Sequence, residues 1–295
     1  MYDYGGNMEL KLTALHPGRL SSFLREELNM SEGLINRLKW QEAILVNGQP
    51  VHTDYPVQPG DVIRVLLDEP EPEYPAQEGE LGILYEDDHL LAVDKPAGML
   101  IHPSRSCNVG TLANLVAGYY RRTGQQAAFH PLTRLDRDTF GIVLLAKHSH
   151  AHARLQAMGA QKTYHALTYG WTENLEGRID APIARKPLPS LLREVHPEGK
   201  PSVTEFRVLE QTKILCKLEL RPITGRTHQL RLHCAHMGHP VLGDPQYGSR
   251  ESQAFSLSRG ILGQQLCAHR LEFCHPITGQ PMVLESAMDV FMAKL

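Results

Sequence analysis

Apolar positions near the start of the chain change from helical to strand-like spacing. Two segments place leucine, isoleucine and phenylalanine three and four residues apart, and Ser31 stands where it caps the second segment. An apolar run at 44–46 follows, and then Asn47-Gly48, a pair that favours a tight hairpin turn because both residues tolerate a positive φ. An alternating strand ends the pattern. The sequence therefore predicts a small α/β module over residues 12–67.

Residues 68–80 interrupt this hydrophobic pattern. The stretch DEPEPEYPAQEGE is acidic and rich in proline, with too few aliphatic side chains to bury a core, so we predict a linker there. In residues 81–295, short β-type runs outnumber helical ones, which indicates an α+β domain on a large mixed, mainly antiparallel sheet. The predicted strands lie at 82–85, 90–93, 141–146, 163–169, 213–220 and 281–284, and the predicted helices at 109–121, 148–158 and 229–237.

Composition narrows the class of protein. The 295 residues are 42% hydrophobic and 21% charged with a net charge of −3, so the chain is not a globally basic nucleic-acid binder, although a local basic face is compatible with these numbers. The five cysteines are scattered and odd in number, which favours a reducing compartment over a disulfide framework. The sequence shows no secretory leader and no apolar run long enough to span a membrane, so we expect a cytoplasmic protein.

One loop concentrates charge directly before a buried strand. In HPLTRLDRDTFGIVLLAK, residues 130–147, the polar residues end at Gly141 and an apolar run begins at once, as expected for a loop that fixes a carboxylate on a rigid strand. The flanking Arg134 and Arg137 favour the ionised form of Asp136. An aspartate in this position acts as a nucleophile, as a base or as half of a structural ion pair, and this stretch leaves all three open.

Two further stretches carry candidate side chains at strands. Tyr164 lies in the β-type run TYHALTYG, where it is either a core-side tyrosine or a binding residue. Lys95 begins the turn KPAG after a predicted strand. It is either the exposed lysine of a simple turn or a cation at the mouth of a cleft, placed to contact phosphate.

The stretch from residue 221 to 244 concentrates histidines and arginines around a predicted helix. Its potential metal ligands do not reproduce the two-histidine pattern with an intervening glutamate, and the chain has no CxxC pair. We therefore expect no metal, and a zinc-dependent hydrolase is the less favoured alternative. Donation to phosphate or to a carboxylate suits these side chains better. The potential metal ligands are His228, His233, Cys234, His236 and His239.

Five strings, taken together, resemble the RluA-type family of RNA pseudouridine synthases. In chain order they are EDDHLLAVDKPAGMLIHP, RLDRDT, KTYHALTYG, TGRTHQLRLH with GHPVLGDPQYG, and AHRLEFCHPITG. Each string is weak alone, but all five in this order are specific, and they cover the chain from about Gly82 onward. The module at 12–67 is similar to the S-four-like (alpha-L) RNA-binding domain. Its matching residues are Leu20, Phe23, Leu24, Ser31, Val46, Asn47, Gly48, Gly60 and Asp61.

The resemblance implies the pseudouridine synthase fold and an isomerase that converts flipped-out uridines of structured RNA, with ribosomal RNA favoured over transfer RNA. It implies no cofactor and no obligatory protein partner. By position, Asp136 corresponds to the essential aspartate, Tyr164 to the tyrosine that packs on the target base, and Arg231 to the arginine that pairs with the aspartate, with Arg226 as the second choice for that role. The substrate-binding residues it implies are Arg134, Lys95, Arg226, His228 and Gln229.

Two positions depart from the family pattern. Thr133 stands where the family has a histidine, and Phe140 stands where it has a serine. Neither replaces the aspartate, the tyrosine or the arginines, so we expect the differences to affect the shape of the loop and the choice of substrate. They also prompt the alternative of a non-catalytic RNA-binding protein on the same scaffold.

Overall fold

The chain folds into an N-terminal module and a larger domain that contains one extended sheet. This computed structural model describes residues 8–67, 74–104, 107–187, 189–190 and 192–291. Both parts combine helices and strands, which confirms the predicted α+β class.

The N-terminal module is a four-stranded sheet of order β1-β6-β3-β4, packed against helices through a core of its own. Ser31 caps the second helix by accepting a hydrogen bond from the amide of Leu34. Asn47 and Gly48 have φ of 50° and 81°, so they form the predicted turn between two strands. The elements are β1 (Met8–Thr13), β2 (Gly18–Arg19), α1 (Leu20–Ser22) with a following π-helical turn (Phe23–Glu27), α2 (Glu32–Trp40), β3 (Ile44–Val46), β4 (Gln49–Pro50), β5 (Pro56–Val57) and β6 (Val62–Leu67).

The larger domain is built on a sheet of order β12-β15-β16-β11-β17-β10-β8-β7, with β18 beside β17 and β9 beside β10. Neighbours run antiparallel except β10 and β17, which are parallel. The strands are β7 (Gly82–Glu86), β8 (Leu90–Lys95), β9 (His130–Pro131), β10 (Phe140–Ala146), β11 (Ala160–Tyr169), β12 (Glu176–Asp180), β13 (Ile183–Arg185), β14 (Arg193–Val195), β15 (Val203–Gln211), β16 (Leu215–Pro222), β17 (Leu266–Cys274) and β18 (Pro281–Glu285).

Helices cover parts of this sheet. They are α3 (Leu112–Thr123), α4 (Ser149–Met158), α5 (Gln229–His236) and α6 (Arg250–Ser258). Thr111 caps α3 by accepting from the amide of Asn114, whose side-chain oxygen accepts from the amide of Thr111 in return. No helix in the described part of the chain is long and apolar enough to cross a membrane.

The observed elements extend beyond two of the predicted boundaries, the start of the module and the end of the linker. The module begins at β1, four residues before the predicted start, because β1 pairs along its whole length with β6. Residues 74–80, assigned to the linker, lie against α3, where the carbonyl of Pro75 accepts from Asn114. The rest of that linker, residues 68–73, lies outside the described residues.

Candidate active site

Gly141 brings the loop of Asp136 against the middle of the sheet. It has a φ of +105°, and a Cβ there would lie 2.4 Å from the carbonyl oxygen of Ala268, so only glycine permits this approach of β10 to β17. Ala268 pairs on its other side with Tyr164 of β11. The glycine therefore places the end of the loop and Tyr164 in one row across three strands.

A buried lysine holds the same loop through hydrogen bonds to backbone carbonyls. The side chain of Lys95 is fully buried, and its Nζ donates to the carbonyls of Pro96, Met99 and Arg137, each at 2.9 Å. Burial lowers the pKa of this ammonium to about 8. The expected phosphate contact is therefore wrong for this position: Lys95 is a structural cation beneath the loop, and nothing dissolved in solvent reaches it.

Arg231 of α5 supplies the cation that contacts Asp136. Its Nη1 lies 2.8 Å from Oδ2 of Asp136, while Nε and Nη2 form a two-point contact with Asp244 at 2.7 and 2.8 Å. Nη2 also donates to Gln246. Arg231 and Asp244 are buried, whereas Asp136 is 32% exposed at its side chain. The guanidinium is thus held in place, and one edge of the Asp136 carboxylate stays open to a ligand.

The neighbouring arginines in sequence do not take this role. Arg137 pairs with Asp138, with 3.1 Å between its Nε and Oδ1. Arg134 is exposed. The expectation that these two residues flank the carboxylate of Asp136 is therefore corrected: a residue 95 positions further along the chain supplies the contact.

Tyr247 orients a histidine beside the carboxylate. Its hydroxyl oxygen accepts from the amide of Arg193 at 3.1 Å and lies 2.8 Å from Nδ1 of His228. This contact turns the other ring nitrogen, Nε2, to within 3.8 Å of Oδ2 of Asp136. Burial lowers the pKa of His228, although the charge of Asp136 opposes this effect. The ring of Tyr247 also lies 5.0 Å from the guanidinium of Arg231.

His228 occupies a strained backbone position. Its φ of 57° lies in the left-handed region, which is uncommon for a residue other than glycine. Strain of this kind persists only where the surrounding structure enforces it, and it concentrates at functional sites. The strain turns the chain into α5 directly before the segment that presents Arg231.

Tyr164 borders the same site from β11. Burial, and next the negative charge of Asp136, raise the pKa of its phenol. The hydroxyl is therefore protonated at neutral pH. The half-buried ring packs with the apolar cluster that includes Ala166 and Leu220. The phenol is close enough to Asp136 for the charge of that carboxylate to act on it.

Of two predicted binding residues at the turn before α5, one has another role in the structure and the other stays exposed. Gln229 is buried, and its side chain accepts from Thr224 and from the amide of Arg226 while donating to β15. It therefore fixes the turn before α5, which corrects its assignment to substrate binding. Arg226 is exposed on that turn and donates to the carbonyl of Pro201. Arg226 stays available to a ligand at the surface.

The two departures from the family pattern lie close to the loop. Thr133 is buried, and its hydroxyl has no hydrogen-bond partner among the described residues. Phe140 is half-buried and packs against an apolar cluster with Leu167 and Val290. Neither side chain replaces a contact of Asp136.

The histidine-rich segment does not converge on a metal. His233 is buried with Nδ1 at 2.9 Å from the hydroxyl of Thr204 and Nε2 at 3.0 Å from the carbonyl of Ala181, so both ring nitrogens are used. Cys234 is enclosed in the core. Another group of potential ligands in the described residues is His165, His269 and Asp289.

That second group also fits a metal poorly. The rings of His165 and His269 are stacked, with centroids 4.0 Å apart and planes 20° from parallel, so their in-plane lone pairs lie side by side and do not meet at one ion. Asp289 already accepts from Lys217 at 2.6 Å and lies 2.8 Å from Nδ1 of His165. The residues form a compact ion-pair cluster on the side of β11 opposite Tyr164.

Sequence reasoning missed the residues that position Arg231. Asp244, Gln246 and Tyr247 follow one another closely in the stretch GDPQYG. An aspartate followed by a proline and flanked by glycines is typical of a tight turn that the aspartate side chain stabilises. In the structure, Asp244 does accept from the amides of Gln246 and Tyr247. The turn was visible in the sequence, but its contact with α5 was not.

The partly exposed carboxylate of Asp136, held by the buried Arg231 and close to Tyr164, lies at one edge of a large mixed sheet. A family model described as RNA pseudouridylate synthase matches residues 89–236. The chain is 35% identical over 307 residues to YhcT, an uncharacterised RNA pseudouridine synthase of Bacillus subtilis. The alignment covers 100% of this chain and 98% of the relative.

A relative whose name states its substrate has a similar sequence identity and coverage. Ribosomal large subunit pseudouridine synthase C of Vibrio vulnificus is 35% identical over 294 residues, covering 94% of this chain and 91% of the relative. Among solved structures, human RNA pseudouridylate synthase domain containing 1 superposes with a TM-score of 0.59 at 25% identity, covering 75% of this chain and 88% of that one.

The chain therefore belongs to the RNA pseudouridylate synthase family. It is an isomerase that converts uridine to pseudouridine in RNA. This confirms the resemblance drawn from the five strings, and it removes the hydrolase and the non-catalytic binding protein as alternatives.

Proposed function

We propose that Asp136 is the group that starts the isomerisation, with Arg231 holding its carboxylate in one orientation. The observation that carries this proposal is the 2.8 Å contact from a buried guanidinium to a carboxylate that is still partly exposed. Since Asp244 fixes the other edge of Arg231, the contact persists while a substrate enters.

The reaction needs no oxidant and no group from outside. The N1–C1′ bond of uridine breaks and a C5–C1′ bond forms, while the proton lost from C5 is balanced by one gained at N1. Asp136 either attacks the nucleoside covalently or removes a sugar proton to begin elimination. In both routes the uridine is first flipped out of its stack, at a cost of a few kcal/mol.

Tyr164 serves in this proposal as the surface on which the flipped base packs. Stacking of a base on an aromatic ring contributes roughly 1–3 kcal/mol, which offsets the cost of unstacking. Because its pKa is raised, the phenol is a hydrogen-bond donor at neutral pH and is not a free phenolate base. His228 and the exposed Arg134 and Arg226 are proposed to contact the nucleotide or its phosphates.

We propose ribosomal RNA of the large subunit as the substrate, in the cytoplasm. The support is the name of relatives that share about 35% identity over nine-tenths of the chain. The test incubates the purified enzyme with transcribed large-subunit ribosomal RNA and with transfer RNA, and then maps pseudouridines in both. Modification of the ribosomal transcript at one or a few positions is expected, and modification of transfer RNA alone would contradict the choice.

A further inference from the structure

Arg231 contacts an exposed amide as well as the carboxylate of Asp136. Its Nη2 donates to Oε1 of Gln246 at 2.8 Å, and Gln246 is exposed on the turn that follows Asp244. A guanidinium carries only donors, so the amide oxygen faces it and the amide nitrogen Nε2 points away. Nε2 donates to no group in the described part of the chain. Gln246 therefore offers free N–H groups beside the active site.

The hydrogen bonds of Arg231 place Gln246 and Asp136 at the same end of the guanidinium. Nε and Nη2 together hold Asp244, which takes the hydrogen of Nη2 that lies beside Nε. The second hydrogen of Nη2 then points past the end of the group, where Nη1 donates to Asp136. Adjacent nitrogens of one planar group thus hold the carboxylate and the amide side by side.

The backbone also fixes Gln246 in this position. The carboxylate of Asp244 accepts from the amide of Gln246 at 2.9 Å, and the carbonyl of Asp244 accepts from the amide of Gly248 at 3.2 Å. A Cβ at Gly248 would lie 2.6 Å from that carbonyl oxygen, so the turn is wound tightly around Asp244. The side chain of Gln246 is therefore held before a ligand arrives, which lowers the entropic cost of binding one.

Arg231 itself has little capacity left for a substrate. Its contacts with Asp136, Asp244 and Gln246 use four of the five N–H groups that a guanidinium has. A ligand that reaches Asp136 also covers the amide of Gln246, because the two groups are adjacent. An amide donor that loses its water without gaining an acceptor is unfavourable, so we expect the ligand to present an acceptor at this position.

The proposed function determines which part of the RNA lies there. In both routes Asp136 acts on the ribose, at C1′ or at a sugar proton, while the base packs on Tyr164. The substrate atoms beside the carboxylate are then those of the sugar and its phosphates. The 2′-hydroxyl and the phosphate oxygens are the groups of this unit that accept hydrogen bonds from proteins.

We propose that Gln246 binds the sugar-phosphate unit of the target uridine by donating from Nε2 to a ribose or phosphate oxygen. The inference rests on the proposed function and adds to it a substrate-binding residue that holds the ribose at Asp136. Because the contact goes to the sugar-phosphate unit and not to the base, it persists while the uracil is detached and rotates. It keeps C1′ in place for the new bond to C5.

The first test separates donation to RNA from support of Arg231. Gln246→Glu keeps an oxygen that accepts from Arg231 and removes the donor, whereas Gln246→Met removes both. We expect both variants to lose about five- to tenfold in kcat/KM on an RNA that the wild-type enzyme modifies, because each lacks the donor. A wild-type value for Gln246→Glu would mean that Gln246 only supports Arg231. A wild-type value for Gln246→Met would mean that the amide contacts nothing, and either result overturns the proposal.

Gln253→Glu is the matched control for the added charge. Gln253 is exposed on α6 beside the same turn, where its amide donates to the carbonyl of Gly248 at 3.3 Å. This variant should keep its kcat/KM within about twofold of the wild type, as expected for a surface substitution outside the site. A loss equal to that of Gln246→Glu would show a general repulsion of RNA and would contradict a specific contact.

The second test identifies the oxygen that accepts. Synthetic RNAs carry 2′-deoxyuridine at the target position, or a sulfur in place of one phosphate oxygen on its 5′ or 3′ side, and each competes with the unmodified RNA. The inhibition constant reports affinity whether or not the competitor is isomerised. We expect one substitution to weaken binding to the wild-type enzyme by about fivefold and binding to Gln246→Met by less than about twofold.

The position of that substitution assigns the contact. A difference at the 2′-deoxy competitor points to the ribose hydroxyl, and a difference at a sulfur competitor points to that phosphate. If every substitution weakens binding to the two enzymes equally, Gln246 does not contact the sugar-phosphate unit and the proposal is wrong.

These results are independent of the chemistry at Asp136. If Asp136→Asn still forms pseudouridine, the proposed function fails, yet the competition experiment still shows whether Gln246 contacts the nucleotide. If transfer RNA is modified instead of ribosomal RNA, the same comparison is made on that RNA.

Discussion

Arg231 joins two carboxylates that lie on different elements and differ in exposure. Its guanidinium contacts Asp244, which is 1% exposed at its side chain, and Asp136, which is 32% exposed. The contact with the buried Asp244 fixes the arginine, while the partly exposed Asp136 stays accessible to a substrate. This division lets one cation serve as an anchor and, in the proposed function, as part of the active site.

Removing the charge of Asp244 tests the anchor. Asp244→Asn leaves the buried guanidinium without its main partner, so we expect the free energy of unfolding to fall by roughly 3–5 kcal/mol. The rate of isomerisation should also fall by at least about tenfold, because Arg231 no longer holds Asp136 in one geometry. Urea denaturation and a single-turnover assay at low temperature measure the two effects.

Glu285→Gln is the control for this variant. It breaks an exposed ion pair with Arg270 and should cost less than about 1 kcal/mol, with no change in rate. If Asp244→Asn is as stable and as active as Glu285→Gln, the anchoring role is wrong.

Tyr164→Phe keeps the aromatic ring and removes the hydroxyl. If the ring acts mainly as a stacking surface, the affinity for RNA should change by less than about threefold. The turnover number then reports on the hydroxyl alone, and we expect it to fall by about tenfold because the hydrogen bond that the phenol donates is lost. Tyr164→Leu is the comparison, and its affinity should be the lower of the two. Equal affinities for Phe and Leu at this position would contradict the stacking role.

Lys95→Met leaves three carbonyls without their donor. We expect it to reduce stability by about 2–4 kcal/mol and to loosen the loop at Arg137, so that the rate falls more than the affinity for RNA. Lys147→Met is the matched control, since Lys147 is also buried but pairs with Glu86 at the far end of β10. It should lose stability while keeping its rate at a temperature where both variants are folded. A similar rate in both variants would show that Lys95 does not position the loop.

Stability should fall on mild acidification because of His150. Burial lowers the pKa of this ring from its ordinary value near 6.5 to about 4. Between those values the unfolded chain binds a proton that the folded chain does not, so stability is fully present above pH 6.5 and is lost as the pH falls toward 4. Thermal melting at pH 7 and pH 5 measures the loss, which should reach about 1–2 kcal/mol for this group.

The variant His150→Gln isolates that contribution. Its melting temperature should fall less between pH 7 and pH 5 than that of the wild type, while the exposed control His52→Gln should behave as the wild type does. Identical pH dependence in all three proteins would mean that His150 titrates normally in the fold.

Local patterns in the sequence predicted much of the fold. The strand at β10, the helices α3 and α4, and the turn at Asn47-Gly48 follow directly from spacing and turn chemistry. β15 and β17 were not predicted, because charged residues interrupt both runs and the alternation is weak over their half-exposed faces.

Contacts between distant segments could not be predicted in this way. The sequence placed Asp136 on a loop before a strand, and the resemblance assigned Arg231 to it, but local charge favoured Arg134 and Arg137 as its neighbours. The role of Lys95 was wrong because a lysine in a turn is usually exposed, and only the packed sheet shows the carbonyls that surround it.

The rate of pseudouridine formation by Asp136→Asn tests the central claim most directly. The substitution keeps the size of the side chain and removes its charge, and Asp138→Asn makes the same change two residues away. On an RNA that the wild-type enzyme modifies, with enzyme in excess, Asp136→Asn should form no detectable pseudouridine while still binding the RNA, and Asp138→Asn should retain activity. Pseudouridine formation by Asp136→Asn at a rate near that of the wild type would contradict the account.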